Sequence, residues 1–196
     1  MNIVRTRLLE SGAFMNGHYV LANGDHTDIY ICGAVFLSGI SLATMIGDLL
    51  ANRIRDRVGV PDFLFAPTAT AAMLMGQTAR SLMTLTDSDL LMIPLERTGQ
   101  GNIIIKESLR DRLRGRVGWC VQDVVTSGNA ITAATALVTS HGATVIGASC
   151  FLNRSGVTGR TLGLDHFEPV FDEPIPSWPA RDCSLCRQNM PINTEL

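Results

Sequence analysis

The chain has 196 residues, 46% of them hydrophobic and 17% charged, which is enough for one sizeable core and argues against extensive disorder. Its formal net charge is −2, and no block of like charge occurs, so the sequence predicts binding neither to nucleic acid nor to an anionic membrane. No apolar run approaches the roughly 18 residues that cross a bilayer, and the first residues lack the apolar segment of a signal peptide. We therefore expect a cytoplasmic protein with a small-molecule ligand.

The first part of the chain contains signals for two helices and a hairpin. The stretch "IVRTRLLESGAF" has helical spacing and predicts a helix that stops at Gly12. "GHYVLANGDHTDIYI" predicts two short strands joined by a turn at Asn23-Gly24. "SLATMIGDLLANRIRDRVG" repeats apolar residues every three or four positions, which predicts a helix with Ser41 as its N-cap and Gly59 as its stop.

The middle of the chain alternates between short apolar runs and helical patterns. The predicted strands are "DFLFA", "LLMIPL", "RVGWCVQDVV" and "ATVIGASCFLN", and the helices between them include "TATAAMLMGQTARSLM" and "NAITAATALVTSHG". This alternation is typical of βαβ units and predicts an α/β fold with a mostly parallel sheet that is covered on both faces. From residue 156 to 196 the pattern decays and prolines accumulate, so we expect a C-terminal extension there.

The stretch "VQDVVTSGNA" predicts a ligand site at the end of a buried strand. Asp123 ends the strand, and ligands of open α/β sheets bind beyond the carboxyl ends of the strands. Thr126, Ser127, Gly128 and Asn129 then precede a helix, where main-chain N–H groups and hydroxyls form a phosphate cradle. An acid beside such a cradle suits a ribose phosphate, and the loop lacks the lysine of a triphosphate-binding loop. The alternative is a strand, a turn and a helix cap without a ligand.

The same stretch resembles the 5-phosphoribosyl-1-pyrophosphate (PRPP) signature of type I phosphoribosyltransferases. "GAFMNGHYVLANGDHTDIYI", "GRVGWCVQDVVTSGNAI" and "HGATVIGASCFLNR" further resemble the orotate phosphoribosyltransferases, and "WPARDCSLCRQNMP" resembles extensions found on some of them. The resemblance implies a central parallel sheet of about five strands in a core over 39–155, with the helix and hairpin of 1–38 as a hood. It also implies a homodimer that uses PRPP, Mg²⁺ and a nitrogenous base.

The resemblance also implies roles for individual residues. Asp123, helped by Gln122, would hold the ribose hydroxyls, and Arg97 would be the remaining catalytic cation. His26 and Tyr30 would lie near the base. The residues that would bind phosphate are Thr126, Ser127, Gly128, Asn129 and Ala130 for the 5-phosphate, and Thr68, Ala69, Thr70 and Ala71 for the pyrophosphate.

The sequence departs from the family where the family has charged side chains. Gln122 replaces one acid of the ribose-binding pair, "FAPTATAAM" carries no cation, and Ala22 stands where the family has a base-proximal Lys. The mobile catalytic loop is shortened to residues 96–100, with Arg97 as its cation and Lys106 as a weaker candidate beyond it. Because these cations would neutralise pyrophosphate, two alternatives stay open: a nucleotide sensor that has lost turnover, and a transferase for a different base.

Five cysteines complete the set of candidate residues. Cys32, Cys120 and Cys150 sit in or beside apolar runs and are expected to be buried thiols. Cys183 and Cys186 have the spacing of half a zinc site, but structural zinc takes four ligands and the sequence displays no second pair. The alternatives are a site completed across a dimer, a redox-sensitive pair, and two thiols without a metal.

Overall fold

The computed structural model describes residues 2–86, 89–99 and 102–194. The helices within these ranges are α1 (Asn2–Glu10), α2 (Gly33–Ser38), α3 (Ile40–Val58), α4 (Ala69–Thr86), α5 (Glu107–Arg110), α6 (Asn129–Ser140), α7 (Gly159–Leu162), a 3-10 turn (Ala180–Asp182) and α8 (Ser184–Arg187). The strands are β1 (Phe14–Val20), β2 (His26–Ile31), β3 (Phe63–Ala66), β4 (Leu91–Pro94), β5 (Glu96–Arg97), β6 (Ile103–Ile104), β7 (Val117–Val125), β8 (Thr144–Asn153) and β9 (His166–Asp172).

Five strands form the central sheet in the order β4-β3-β7-β8-β9, and every neighbouring pair is parallel. One hydrophobic core lies between this sheet and helices α1, α3 and α4, and a second lies on the side of α6 and α7. The predicted α/β architecture with about five parallel strands is thereby confirmed. Across the described ranges, helices that are both long and apolar enough to traverse a bilayer are absent.

Strand β3 shows how the sequence builds both cores. Its four residues are all buried, as expected for a strand that is covered on both faces. Leu64 packs into the core of α3 and α4, while Phe63 and Phe65 pack into the core on the α6 side. Because side chains alternate along a strand, one short apolar run supplies both faces of the sheet.

The predicted N-terminal hairpin is confirmed, with β1 and β2 paired antiparallel. Gly24 has φ +86° in the turn, and its N–H donates to the carbonyl of Leu21 at 2.8 Å. That backbone conformation favours glycine, which explains the turn signal in the sequence. The register shifts between Asn16 and Tyr19, so β1 carries an irregularity just before the turn.

The sequence predicted the C-terminal end of α3 correctly and its N-terminal end incorrectly. Gly59 ends the helix with φ +80°, and its N–H donates to Arg55, which confirms the predicted stop. The prediction of Ser41 as N-cap is wrong, because the helix begins at Ile40 after Gly39. Ser41 instead accepts a hydrogen bond from the Arg7 guanidinium at 2.6 Å, which joins α3 to α1.

The boundary predicted at residue 156 cuts through the central sheet. Strand β9 lies beyond it and pairs with β8, so this part of the supposed extension belongs to the core. Pro169 and the acidic residues around it made this segment look like a loop in the sequence. Proline is tolerated there because β9 is an edge strand. The chain then returns to the hairpin, where Trp178 and His26 exchange two main-chain hydrogen bonds of 2.7 and 2.8 Å. The limit between the hood and the core, at residues 38 and 39, stays a prediction.

Candidate functional site

A cavity of about 980 Å³ lies where the carboxyl ends of β3, β7 and β8 meet the turn of the hairpin. It brings together most of the residues that the sequence nominated. Those in its wall are Tyr30, Thr68, Thr70, Arg97, Gln122, Asp123, Thr126, Ser127, Gly128, Asn129 and Ala130. Ala69, Ala71, His26, Cys183 and Cys186 are not in the wall.

Asp123 is the buried carboxylate of this cavity and is only 7% exposed. Burial raises the pKa of its carboxyl above the ordinary value, and hydrogen bonds from the Thr70 hydroxyl and the Val124 main chain oppose that rise. Gly33 of α2 packs directly on the carboxylate, since a Cβ at that position would overlap Asp123 Oδ2. The site therefore holds its acid in one place and favours an approaching cation or hydroxyl donor.

Gln122 precedes Asp123 on β7 and is 6% exposed. Its Nε2 donates a long hydrogen bond of 3.5 Å to the carbonyl of Val124. Its Oε1 is buried and has no hydrogen-bond partner in the described part of the protein. Buried acceptors are nearly always satisfied, so the Oε1 of Gln122 is an acceptor that a hydrogen-bond donor of a ligand would satisfy.

The loop 126–130 joins β7 to α6 and keeps its main-chain donors at the cavity. Gly128 is the residue before α6, has φ +80° and makes no side-chain cap. A Cβ at Gly128 would lie 2.6 Å from Leu162 of α7, so the loop rests directly on that helix. A helix that begins without a cap leaves N–H groups and the positive end of its dipole for an anion.

The corresponding loop before α4 satisfies one of the first donors of the helix. The Ala71 N–H donates to the hydroxyl of Thr68 at 3.1 Å, so Thr68 caps the helix. The Ala71 side chain is fully buried in the core, and the Thr70 hydroxyl is engaged with Asp123. Of the four residues predicted to bind pyrophosphate, Thr68 and Thr70 therefore face the cavity, whereas Ala69 and Ala71 do not line it.

The segment predicted as a shortened catalytic loop contains β5, which pairs antiparallel with β6. Arg97 is exposed on β5 and lines the cavity. Lys106 does not line it and pairs with Glu96 at 2.9 Å. Gln100, which the sequence placed in the same loop, lies outside the described residues.

The N-terminal hairpin supplies the opposite wall of the cavity. Ala22 and Tyr30 both line it, so the position at which the resemblance implies a Lys faces the site. Burial, reinforced by Cys32 and Asp123, raises the pKa of the Tyr30 phenol, while Arg154 opposes this shift. Cys32 is half-buried and lines the cavity, contrary to the expectation of a buried thiol, whereas Cys120 and Cys150 are fully buried as expected.

Sequence reasoning missed Arg154, a buried cation in the cavity wall. Its side chain is 2% exposed and donates to the Ile29 carbonyl at 2.9 Å and the Thr27 hydroxyl at 2.8 Å. Burial lowers its pKa, and Asp28 opposes this, but a guanidinium remains charged at neutral pH. Arg154 directly follows β8, so the end-of-strand argument that found Asp123 would have found it as well.

His26 is placed away from the cavity, which does not fit its predicted contact with the base. Its ring nitrogen Nδ1 lies 2.7 Å from Nε2 of His18 and 3.3 Å from Sγ of Cys186. Both histidines are buried, at 1% and 6% exposure. The C-terminal segment returns to this part of the hairpin and brings Cys186 to the histidines, which the sequence does not show.

Known proteins resemble this chain along most of its length. The sequence is 26% identical to the orotate phosphoribosyltransferase of Thermus thermophilus over 182 residues, which is 93% of either chain. The structure matches that of orotate phosphoribosyltransferase from Aeropyrum pernix with a TM-score of 0.64 and 23% identity, covering 87% of this chain and 93% of the other. The Mycobacterium tuberculosis orotate phosphoribosyltransferase in complex with PRPP matches with a TM-score of 0.58 and 15% identity, covering 86% and 87%.

The chain has the type I phosphoribosyltransferase fold. No protein-family model matches it. In this phosphoribosyltransferase fold, the cavity lies at the carboxyl edge of the sheet. Its described residues include one buried carboxylate, that of Asp123, and two cationic side chains, Arg97 and Arg154. The start of α6, which has no side-chain cap, also faces it. That set is suited to bind a phosphorylated sugar and an anionic or polar ring.

Proposed function

We propose that this protein transfers ribose 5-phosphate from PRPP to a pyrimidine-type base, as an orotate phosphoribosyltransferase does. The observation that carries the proposal is the convergence of the uncapped α6 start, the Asp123 carboxylate and the unpartnered Gln122 Oε1 in one cavity. The first suits a 5-phosphate, and the other two suit ribose hydroxyls. The similarity to orotate phosphoribosyltransferases over 93% of the chain supports the same assignment.

In the proposed reaction, a bond forms between C1 of the ribose and a ring nitrogen of the base while the bond from C1 to pyrophosphate breaks. The base loses the proton of that nitrogen, and pyrophosphate leaves with the bonding electrons. The loop 126–130 would hold the phosphate, and Asp123 would orient the ribose. Catalysis would consist mainly of positioning and charge stabilisation.

Mg²⁺ is part of the proposal because PRPP carries a pyrophosphate. Magnesium usually binds through one or two carboxylates together with substrate phosphates, and Asp123 is the carboxylate in the described cavity wall. The residues therefore fit the ion, with Asp123 as its protein contact, and bound Mg²⁺ would neutralise charge on the pyrophosphate. A cation there would also favour the ionised form of Asp123, against the burial that raises its pKa.

Arg154 supports an anionic pyrimidine over a neutral one. A guanidinium has five N–H donors, and the Arg154 hydrogen bonds account for three of them, to Ile29, Thr27 and Pro176. Arg154 and Tyr30 both line the cavity, so remaining donors that reached a bound ligand would suit a carboxylate such as that of orotate. The proposal also includes a homodimer, for which sedimentation velocity is the test.

A second candidate is a nucleotide sensor without turnover, and the capped start of α4 favours it. Thr68 engages the Ala71 N–H, which leaves one donor fewer for a pyrophosphate at this helix start, and the loop has no cation. Such a protein would bind nucleoside monophosphates and bind PRPP weakly. A transferase for another base is the third candidate, because Ala22 replaces the base-proximal Lys of the family and lines the cavity.

The test is a PRPP-dependent assay with the full chain, Mg²⁺ and either orotate or uracil, followed by pyrophosphate release. We expect turnover with orotate and little with uracil, which lacks the carboxylate. Arg154→Gln should lose this preference. The matched control is Arg53→Gln, since Arg53 also donates to main-chain carbonyls, of Pro169 and Val170, but does not line the cavity.

Thermal unfolding with each ligand separates the candidates. A ligand at about 100 times its Kd stabilises by roughly 2.7 kcal/mol, which is on the order of 5 to 10 °C for a chain of this length. Stabilisation by orotidine 5′-monophosphate but not by PRPP, with no turnover, would favour the sensor. Turnover with a neutral base alone would favour the third candidate. No shift with PRPP, ribose 5-phosphate or the nucleotide would reject all three.

A further inference from the structure

Four metal-binding side chains meet at the hairpin, and none of the four is in the cavity wall. His18 and His26 come from β1 and β2, and Cys183 and Cys186 come from the start of α8. Their ligand atoms all lie within 4.8 Å of one another. We propose that these four residues form a structural zinc site that joins the C-terminal segment to the hairpin.

The distances fit a tetrahedral zinc ion. The Nε2 atom of His18 lies 3.6 Å from each of the two sulfurs, and Nδ1 of His26 lies 3.3 Å from Sγ of Cys186. Zinc binds sulfur at about 2.3 Å and nitrogen at about 2.0 Å, so tetrahedral ligands stand about 3.5 Å apart. The two nitrogens are 2.7 Å apart, and binding of the ion would separate them slightly. A Cys₂His₂ set fills all four positions, which is the mark of a structural site.

Hydrogen bonding alone does not account for the cluster. His18 Nε2 is the near neighbour of three groups: Nδ1 of His26 and the sulfurs of Cys183 and Cys186. A ring nitrogen of a neutral histidine serves as either one donor or one acceptor, so it satisfies one of these groups. A cation at the centre would be bound by all four atoms at once. The burial of Cys183 and His18, at 0% and 1% exposure, further favours a shared ion over four separate polar groups.

The surroundings orient the ligands as a metal site requires. His18 Nδ1 lies 2.8 Å from the carbonyl of Met190, so this nitrogen carries the proton and Nε2 presents its lone pair to the cluster. Cys183 precedes α8 and Cys186 lies within it, so the helix fixes the separation of the two thiols. The Asn193 N–H donates to the His18 carbonyl at 2.7 Å. The second pair that the sequence did not display therefore comes from the same chain, and no partner subunit is needed to complete the site.

The site would stabilise one wall of the functional cavity. The hairpin that carries His18 and His26 also contributes Ala22 and Tyr30 to that wall. The C-terminal segment joined by the zinc contributes the Pro176 carbonyl, which accepts from Thr27 and Arg154. Zinc would thus hold together the hairpin and the residues that position Arg154, without contact to a substrate.

Zinc content of the full chain, produced without a metal-binding tag, tests the proposal independently of any activity. We expect inductively coupled plasma mass spectrometry to find one zinc ion per chain. X-ray absorption spectroscopy should show two sulfur and two nitrogen ligands. Cys186→Ser and His18→Gln should lose the ion. The matched controls are Cys32→Ser and His166→Gln, which remove a cysteine and a histidine outside the cluster and should retain it.

A second measurement on the unaltered chain covers variants that fail to fold. After removal of zinc with a chelator, added Co²⁺ should give the strong visible bands of a tetrahedral site and a thiolate-to-cobalt charge-transfer band. Thermal stability should fall on chelation and return with zinc. Folded protein with neither zinc nor the cobalt spectrum would overturn the proposal. So would a Cys183–Cys186 disulfide in freshly purified protein, or one zinc ion per two chains, which would indicate a site between subunits.

Discussion

Helices α4 and α6 follow neighbouring strands and begin at the same cavity, yet their first turns are satisfied in opposite ways. Thr68 caps α4 by accepting from the Ala71 N–H, whereas α6 begins at Gly128 without a side-chain cap. Thr68 satisfies one of the first donors of α4, whereas the first N–H of α6, that of Asn129, makes only a long 3.4 Å bond to Ser127. Under the proposed function, we therefore expect a phosphate to bind at α6 more strongly than a pyrophosphate binds at α4.

The largest effect is expected at Asp123. This residue lies on the strand before α6, and its carboxylate accepts a hydrogen bond from Thr70 at the start of α4, so it contacts both regions. Asp123→Asn keeps the shape and removes the charge, so turnover should fall by roughly 10²- to 10³-fold, as for loss of one group that stabilises the transition state. Binding of ribose 5-phosphate at α6 should change far less. Steady-state kinetics and calorimetry with ribose 5-phosphate measure the two effects separately. Equal losses in both would mean that the two regions do not act independently.

The Asp123→Asn variant should also differ from the wild type in how its free energy of unfolding depends on pH. Burial raises the pKa of Asp123 in the folded state, so the stability contributed by the protonated carboxyl is present below the unfolded pKa of about 3.9 and is lost as pH rises through the folded pKa. Asp123→Asn does not titrate, so the wild type should lose free energy of unfolding relative to it as pH increases from about 4 towards 7. Urea unfolding across that range gives the difference. A relative gain by the wild type would contradict the raised pKa.

The next effect concerns the backbone of the open helix start. Gly128→Ala places a Cβ at φ +80°, against Leu162, and a left-handed residue costs about 1–2 kcal/mol before that overlap is relieved. Stability should fall by about 2 kcal/mol or more, and ribose 5-phosphate should bind more weakly. Urea unfolding and calorimetry test both. Gly76→Ala in α4 is the control, since its Cβ meets no atom within 4 Å, and it should stabilise by about 0.5–1 kcal/mol.

The same two regions show what the sequence could predict. Asp123 and residues 126–130 were found because their signal is local, a buried strand that runs into an acid and a loop with glycine and hydroxyl groups. The capped start of α4 looked equivalent to them, since hydroxyl residues suit both capping and phosphate binding. Only the geometry distinguishes a threonine that caps from one that is free to bind.

The parts that sequence reasoning missed depend on contacts between distant segments. His18 and Cys183 are 165 residues apart, and their meeting requires the shifted register of β1 and the return of the chain after β9. His26 was assigned to the base because the resemblance places this part of the hairpin over the base, and the sequence does not show that the C-terminal segment packs there. β9 was missed because its proline and acids resemble a loop, although an edge strand tolerates them.

A smaller effect is expected where α2 touches the carboxylate. In Gly33→Ala the new Cβ would overlap Asp123 Oδ2, the end of a side chain, so the carboxylate moves and the backbone stays. An off-rotamer side chain costs about 0.5–1.5 kcal/mol, so we expect up to roughly a tenfold loss of turnover with nearly unchanged stability. Gly39→Ala is the control, because its nearest atom, the Phe36 carbonyl, is 4.0 Å away. Equal kinetics for both variants would show that the carboxylate position is not limiting.

The smallest effects compare the two helix starts directly. Thr68→Ala removes the cap of α4 and should cost about 1 kcal/mol of stability, while the affinity for ribose 5-phosphate stays unchanged. Ser127→Ala should do the reverse, because Ser127 accepts only a long 3.4 Å bond from Asn129 but lines the cavity beside α6. Its stability should stay within about 0.5 kcal/mol, and its affinity for ribose 5-phosphate should fall. If Thr68→Ala instead weakened phosphate binding and Ser127→Ala did not, the phosphate would have to be assigned to the start of α4 and not to that of α6.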